Sequence, residues 1–377
     1  MLIDELKIAS KRMPELVKAL STRDMMDLEN SGSESVTGLL RAHGAPEFLV
    51  PRDLGGGGGS LLEITQIMRV VGSRCPSLSI MMTMHHHTVA AIARGMSSLS
   101  GGAACLKRVA RERALVASAF AEGRPGADTL DSTVRCTQLD GGAGFRVVGS
   151  KKPSSMSHHA NFACVGVLVD IGGQTGRGIA LVDRALDGTN VSDFWTSEIL
   201  ASADCHCLKF EGVLVPHGFV LVPFADGKVA CREGLVVAHA EIVMSCLFQV
   251  LISASYLGMA TRLCESVLKK RGGTSAQRVE ILSRLESAAA AIYHLAASVE
   301  KSDISAYLLG KSMLVACNTA AQIEYAVALS VKALGGSGYL SSKEAQYLVL
   351  ASHCLDFHPP SRQVREEIID GCYTELI

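Results

Sequence analysis

Hydroxyls, imidazoles and one acidic, Gly/Pro-punctuated turn are the groups in this chain whose types and spacing could do chemistry. Between Gly149 and Val169 the chain reads as a strand end, a turn carrying Ser154, Ser155, Ser157, His158 and His159, and a second strand. That strand is read from the apolar, β-branched run Phe162 to Val169. Upstream, Ala117 to Asp131 reads as a strand running into a turn that holds Glu122, Arg124 and Gly126. Two polar turns at one end of a small sheet offer backbone N–H groups and hydroxyls, an edge suited to a flat, polar heterocycle. The competing reading of Ser154 and Ser155 is local, since turn serines often satisfy nearby backbone. His358, followed by Pro359 and Pro360, is a candidate base because imidazole titrates near neutral pH. The plainer role is filling space at a helix junction. His85, His86 and His87 fall in a helical segment, where successive side chains point about 100° apart. They cannot chelate one metal together, and at most one faces a given pocket.

Composition narrows the field. The chain has 377 residues, 48% of them apolar, and a net charge of −1, so a large core is available. No basic stripe marks nucleic acid as a main partner. Twelve cysteines are scattered without a CxxC pair. Cys205-His206-Cys207 sits in an apparent strand with both sulfurs on one side, and no further ligands stand at a readable spacing, so no metal site is expected. Unpaired thiols and the lack of a recognisable secretory leader imply a reducing cytoplasm. The apolar stretch Val236–Met259 is interrupted by Glu241, Gln249 and serines, which fits a buried helix better than a membrane span. Apolarity all round that helix suggests contact with another subunit.

The elements that must position these groups follow from periodicity. Leu2 to Leu20 and Val36 to His43 have helical spacing. Gly55 to Gly59 lack the Lys-Ser/Thr of a phosphate loop and read as a flexible connector. Ser60 and Glu63 form a capping box for the next helix. Ser77 to Met96 is helical, and Gly101-Gly102 breaks the chain before a helix from Ala103 to Arg113. From Ala114 the period changes to two, giving an antiparallel β-domain of roughly a hundred residues, a size known for small barrels and sandwiches. Leu235 to Lys270, Ala276 to Lys301 and Ile304 to Leu334 are helical again, and Gly335 to Tyr339 stops the last. The fold expected is α+β, with an N-terminal helical domain (1–113), a middle β-domain (114–229) and a C-terminal helical bundle (230–377).

This order resembles the acyl-CoA dehydrogenase superfamily. Val50-Pro51, Leu54-Gly-Gly56 and Ser60 to Glu63 are similar to its N-terminal signature. Phe120 to Asp128 is similar to its flavin-contacting turn, Gly149 to Lys152 to its glycine-threonine-lysine segment, and Phe210 to Pro216 to the end of its β-domain. Leu334 to Tyr339 is similar to the glycine turn that touches a neighbouring subunit's cofactor. The resemblance implies a middle antiparallel β-barrel and a C-terminal four-helix bundle. It also implies flavin contacts from Phe120, Glu122, Arg124, Gly126, Ser154, Ser155, Gly335, Gly336 and Gly338. The departures carry the functional information. Pro359 stands where the dehydrogenases carry their glutamate base, and Phe248 or Gln249 where some relatives carry it on the long helix. Lys269 to Thr274 lacks the phenylalanine of the segment that holds the adenine of FAD. Pro153 replaces the tryptophan beside the flavin.

These gaps resemble the two-component flavin monooxygenases of the same superfamily. That likeness implies FAD or FMN supplied reduced by a flavin reductase, O₂ as co-substrate, and a small or carrier-bound metabolite as substrate. It implies Ser155 near flavin N5, with Ser154 as the neighbouring candidate, and His358 and His86 as catalytic residues. Arg124 would anchor a flavin phosphate or ring carbonyl or stand solvated in its turn, and Trp195 would stack on the flavin or fill the core. A homo-oligomer, dimer or tetramer, is expected, with no nucleic acid and no membrane. Two alternatives stand beside it: an acyl-thioester dehydrogenase with a relocated base, and a non-catalytic relative without flavin.

Overall fold

A computed structural model describes residues 1–96, 99–124, 131–223, 231–303 and 305–374. Seven helices come first: α1 (Ile3–Arg12), α2 (Pro14–Ser21), α3 (Met25–Glu29), α4 (Ser33–His43), α5 (Leu61–Gly72), α6 (Pro76–Gly95) and α7 (Ser100–Glu112). The capping box of α5 forms, with Ser60 Oγ accepting the Glu63 N–H and the Glu63 carboxylate accepting the Ser60 N–H, both at 3.1 Å. The N-terminus of α6 rests on a buried carboxylate. Glu29 accepts the Ser77 N–H at 2.8 Å, the Ser77 hydroxyl at 2.6 Å and the Tyr347 hydroxyl. A negative group at that helix end complements its dipole, and the contact fixes the helix that carries the three histidines.

Two glycine expectations are corrected. The run Gly55 to Gly59 is a packed turn, not a loose connector, because the N–H groups of Gly56 to Gly59 bond back to Pro51, Glu47, Val50 and Phe48 carbonyls. A Cβ at Gly59 would lie 2.1 Å from the Phe48 ring. Gly101 and Gly102 do not break the chain either. They lie inside α7, where a Cβ on Gly101 would lie 2.5 Å from the Phe219 ring.

Eight strands follow: β1 (Val116–Ala119), β2 (Arg135–Gln138), β3 (Gly144–Ser154), β4 (Phe162–Ile171), β5 (Gln174–Asp183), β6 (Thr189–Ser192), β7 (His206–Pro216) and β8 (Val220–Leu221). The sheet order is β6-β7-β3-β2-β4-β5-β8, with β1 beside β4. Five pairings are antiparallel, but β1 and β2 both run parallel to β4. The sheet is therefore mixed rather than antiparallel throughout. Val116 pairs with Phe162 and Arg135 with Leu168, so β1 and β2 follow one another along the same edge of β4 without a reversal. The pairing of β3 with β7 slips between Lys151 and Ser154. Pro153 lies in that gap and has no N–H to give the ladder.

Among the described residues, five helices come last: α8 (Cys231–Lys269), α9 (Ser275–Lys301), α10 (Ala306–Leu340), α11 (Lys343–His353) and α12 (Arg362–Thr374). Two of them, α8 and α10, are long and apolar enough to cross a membrane, yet 83% of the apolar window of α8 is buried within this chain. Helices α5, α6, α9, α10 and α11 surround it. Its all-round apolarity is thus met inside one chain and does not call for a neighbouring subunit. Gly335 does not stop α10 but kinks it at φ +70°, and the helix continues to Leu340. Arg69, fully buried, joins the layers by pairing with Glu5 and Glu286 at 2.8 Å each and donating to Thr261.

Candidate active site

A cavity of about 420 Å³ opens between the sheet end, α6, α8 and the segment after α11. Helix α8 contributes Glu241, Met244, Ser245, Phe248, Gln249 and Tyr256. Apart from one skipped turn this is three-and-four spacing, so one face of the helix forms a wall. Met84 and His87 come from α6, Ser118 and Phe120 from the end of β1, and Pro153 and Ser155 from the end of β3. Trp195 and Cys205 close it from the segment between β6 and β7, and His358, Pro359 and Pro360 from beyond α11.

The three adjacent histidines divide their roles by direction. His85 Nδ1 accepts the Val116 N–H at 3.1 Å, and its Nε2 lies 2.9 Å from the Pro46 carbonyl, so it braces α6 against β1. His86 is fully buried, forms no well-made hydrogen bond among the described residues and is not among the residues that line the cavity. The expectation for His86 is corrected: His87 is the histidine on the cavity wall. Its Nδ1 lies 2.7 Å from the Thr83 carbonyl. Its ring meets Phe248 edge-on at 5.2 Å, and Phe248 meets His358 in the same way at 5.9 Å.

His358 does line the cavity, with Nε2 at 2.8 Å from the Tyr256 hydroxyl. Arg365 holds its segment in place by donating to the carbonyls of His358 at 2.7 Å and Pro360 at 2.8 Å. Gln249 donates to the Pro359 carbonyl at 3.3 Å. Burial pushes both cavity imidazoles down to about 4, His358 with help from the Arg365 cation and His87 against the pull of the Thr83 carbonyl. Both are neutral at physiological pH.

Ser155 also faces the cavity, its hydroxyl 3.1 Å from the Cys205 sulfur, whose thiol burial pushes up to about 12. Ser154 points elsewhere and donates to the Ser118 carbonyl at 3.3 Å. Phe120 lines the cavity, whereas the Glu122 carboxylate is spent inside the turn. It accepts the Lys151 ammonium, the Thr133 N–H and the Thr133 hydroxyl, each at 2.7 Å. Burial would raise that carboxyl, but these donors outweigh it and hold it at about 2. Arg124 is exposed and committed to Glu122 at 3.1 Å and to the Asp131 carbonyl, so the structure gives it a partner other than a phosphate. Gly126 lies outside the described residues. Gly335 and Gly336 are exposed, Gly338 is half-buried, and none of the three lines the cavity.

Lys151 is fully buried and bonds Phe120, Glu122 and Ser132 at once. It therefore clamps the turn on which Phe120 sits. Lys151→Met is expected to lower stability by about 3 kcal/mol, because the buried Glu122 carboxylate would lose its buried ammonium partner and keep Thr133 and the exposed Arg124. Urea unfolding checks this, and an unchanged midpoint would remove the clamp from the account.

One cluster outside the cavity has metal-ligand residue types: His158, Asp204 and His206, with ligand atoms within 4.8 Å of one another. The proton positions oppose that use. The Phe194 N–H donates to His206 Nδ1 at 3.1 Å, which leaves that ring's proton on Nε2, the nitrogen 3.9 Å from Asp204. Asp204 instead accepts His158 Nδ1 and the His158 N–H, both at 2.7 Å. The cluster pins the serine turn to the start of β7.

The cavity fits a flavin ring. A flat tricycle needs apolar walls and a hydrogen-bonding edge; Phe120, Pro153, Trp195 and Phe248 supply the first and Ser155 the second. The Trp195 indole N–H is spent on the Ile199 carbonyl at 2.9 Å, which fixes its plane. Glu241 is the one carboxylate among the described lining residues. It pairs with Arg177 at 3.3 Å and sits about 10 Å along α8 from Phe248.

No family model matches the chain. Isobutylamine N-hydroxylase of Streptomyces viridifaciens is 32% identical over 361 residues, covering 93% of this chain and 91% of that protein. The FMN-bound crystal structure of TdsC from Paenibacillus sp. A11-2 superposes with a TM-score of 0.80 at 18% identity, covering 99% of this chain and 98% of that one. Butyryl-CoA dehydrogenase from Megasphaera elsdenii does so with a TM-score of 0.81 at 16% identity, over 99% and 98%. The fold is common to oxygenase and dehydrogenase, and the full-length relative lies on the oxygenase side. The chain is therefore a flavin-dependent oxidoreductase of the acyl-CoA dehydrogenase superfamily and belongs to its monooxygenase branch.

Proposed function

We propose that this monooxygenase hydroxylates the nitrogen of a small primary amine. The observation that carries the reading is the pair of uncharged imidazoles, His87 and His358, on either side of Phe248 in a mostly apolar cavity whose one carboxylate among the described lining residues, Glu241, is paired with Arg177. Nitrogen must present a lone pair to be oxygenated. An apolar enclosure disfavours the ammonium form, and neutral imidazoles accept or donate hydrogen bonds without repelling the amine. The relative that acts on isobutylamine supports the same class.

When bound, reduced flavin supplies two electrons and two protons and activates O₂. The balance is R–NH₂ + O₂ + 2 H → R–NHOH + H₂O, with oxidised flavin released. Ser155 holds the polar edge of the ring, Phe120, Pro153 and Trp195 exclude water from it, and the histidines address the amine. The weak adenine segment after α8 favours flavin brought reduced by a separate reductase. Exposed Gly335 and Gly336, with exposed Tyr307, Leu314 and Tyr325 along α10, suit a homo-oligomer in which that turn meets a neighbour's flavin.

The test mixes protein with reduced FMN anaerobically, admits air and adds isobutylamine or a homologous amine. The expected product is the hydroxylamine, one oxygen heavier by mass, from a preparation that sediments as a dimer or tetramer. With Pro359 in the place of a glutamate, desaturation of butyryl-CoA with an artificial electron acceptor should be negligible. Unchanged amine together with rapid desaturation would return the chain to thioester chemistry.

A further inference from the structure

We infer that the two cavity histidines offer the substrate opposite groups, His87 a lone pair at Nε2 and His358 an N–H at Nδ1, and that Tyr256 is the positioning residue that sets the second. Their roles rest on the amine-hydroxylation reading. Their tautomers do not, since they are set in the protein alone.

His87 Nδ1 lies 2.7 Å from the Thr83 carbonyl oxygen. A carbonyl oxygen only accepts, so this nitrogen carries the proton, and a neutral imidazole then has a bare Nε2. The near neighbour of Nε2 is the Thr88 hydroxyl at 3.4 Å, whose own proton goes to the Met84 carbonyl at 2.8 Å. That hydroxyl leaves the Nε2 lone pair unfilled. On the other side, Tyr256 is fully buried, and its hydroxyl meets His358 Nε2 at 2.8 Å with no second partner among the described residues. A buried hydroxyl places its proton on an acceptor. His358 Nε2 is the acceptor within reach, so the ring's own proton sits on Nδ1. Arg365 and Gln249 grip the backbone on either side and keep the ring on Tyr256.

The sequence pointed to His358 as the base; the hydrogen bonds give that part to His87. As the N–O bond forms, the amine nitrogen sheds one proton to His87 Nε2. His358 Nδ1–H donates a hydrogen bond to the oxygen that leaves as water. The proton held by His87 passes to that departing oxygen, which takes one flavin hydrogen to become water, and the other flavin hydrogen stays on the hydroxylamine oxygen.

The tautomers are read by long-range ¹H–¹⁵N spectra of ¹⁵N-histidine protein without ligands, assigned with His87→Asn and His358→Asn. Both rings should be protonated at Nδ1. Tyr256→Phe removes the donor to His358 Nε2 and should move the His358 signals toward the other tautomer, leaving His87 unchanged. Hydroxylamine formation in Tyr256→Phe should fall about tenfold, the worth of one hydrogen bond, with affinity for reduced FMN retained. A wild-type His358 protonated at Nε2, or a His358 spectrum indifferent to Tyr256→Phe, overturns the tautomer assignment. Tautomers as stated in a wild type that leaves amines unchanged overturn the roles.

Discussion

Acidification from pH 7 to pH 4 is expected to strip several kcal/mol of stability from this chain, with the loss concentrated between about pH 6.5 and 4. The cause is the histidine row on α6. His85 and His87 are buried, and burial pulls each down to about 4 in the folded state; Arg41 adds to this at His85. His86 is also pulled well down by the same burial and by the neighbouring imidazoles. The unfolded chain binds protons at these sites near pH 6.5, so between the two values it holds more protons than the native state. Stability then rises with pH across that window. It is complete above about 6.5, falls as the pH drops toward 4, and levels off for His85 and His87 below that. One pKa unit is worth about 1.4 kcal/mol, so each of these two histidines accounts for about 3 kcal/mol against a typical total of 5–15 kcal/mol. The geometry agrees with the sign. His85 Nδ1 accepts the Val116 N–H, so a proton placed there would face another donor. Urea unfolding at stepped pH measures the slope, and a midpoint that is flat from pH 7 to 5 would dismiss the row as a source of acid lability. His85→Gln should flatten part of it.

How much of this was legible beforehand depended on whether the signal was local. Element types and their order followed from periodicity, and the α5 cap from Ser60 and Glu63 alone, because the capping box lies within four consecutive residues. The parallel placement of β1 and β2 was not legible. It depends on both lying along one edge of β4, and alternation within a strand says nothing about its partner. The glycines misled for a related reason. Gly59 and Gly101 are small because Phe48 and Phe219 press on them, and neither contact is local. At the site, Ser155 and His358 could be named from their segments. The choice among His85, His86 and His87 could not, since it turns on where β1 and α8 fall around α6. Tyr256 was missed although it lies on one helical face with Phe248, eight residues on from a position the resemblance had already marked. The signal was present in the spacing but was hidden by apolar residues on every other face of α8, which its own chain buries.

The other large effect concerns His87. His87→Ala is expected to lower hydroxylamine formation by about 10²–10⁴-fold, the usual share of a proton acceptor at the reacting atom. The oxidation of reduced flavin by air should continue, because His87 is not at the polar ring edge where Ser155 stands. Oxygen consumption would then appear as hydrogen peroxide instead of product. This split separates His87 from a packing role. Removing a ring that meets Phe248 at 5.2 Å also opens space on the cavity wall, and a purely steric loss would weaken amine binding and be recovered at high amine concentration. Loss of an acceptor would not be recovered in that way, since it acts on the step after binding. His87→Gln refills the space and keeps a hydrogen-bond acceptor near the former Nε2 but takes up no proton, so its product yield should stay as low as that of His87→Ala. The measurement is the ratio of hydroxylamine to peroxide per flavin oxidised, taken at saturating amine over a range of pH. A ratio equal to the wild type's would remove His87 from the chemistry and leave His358 and Tyr256 as the groups to test in its place.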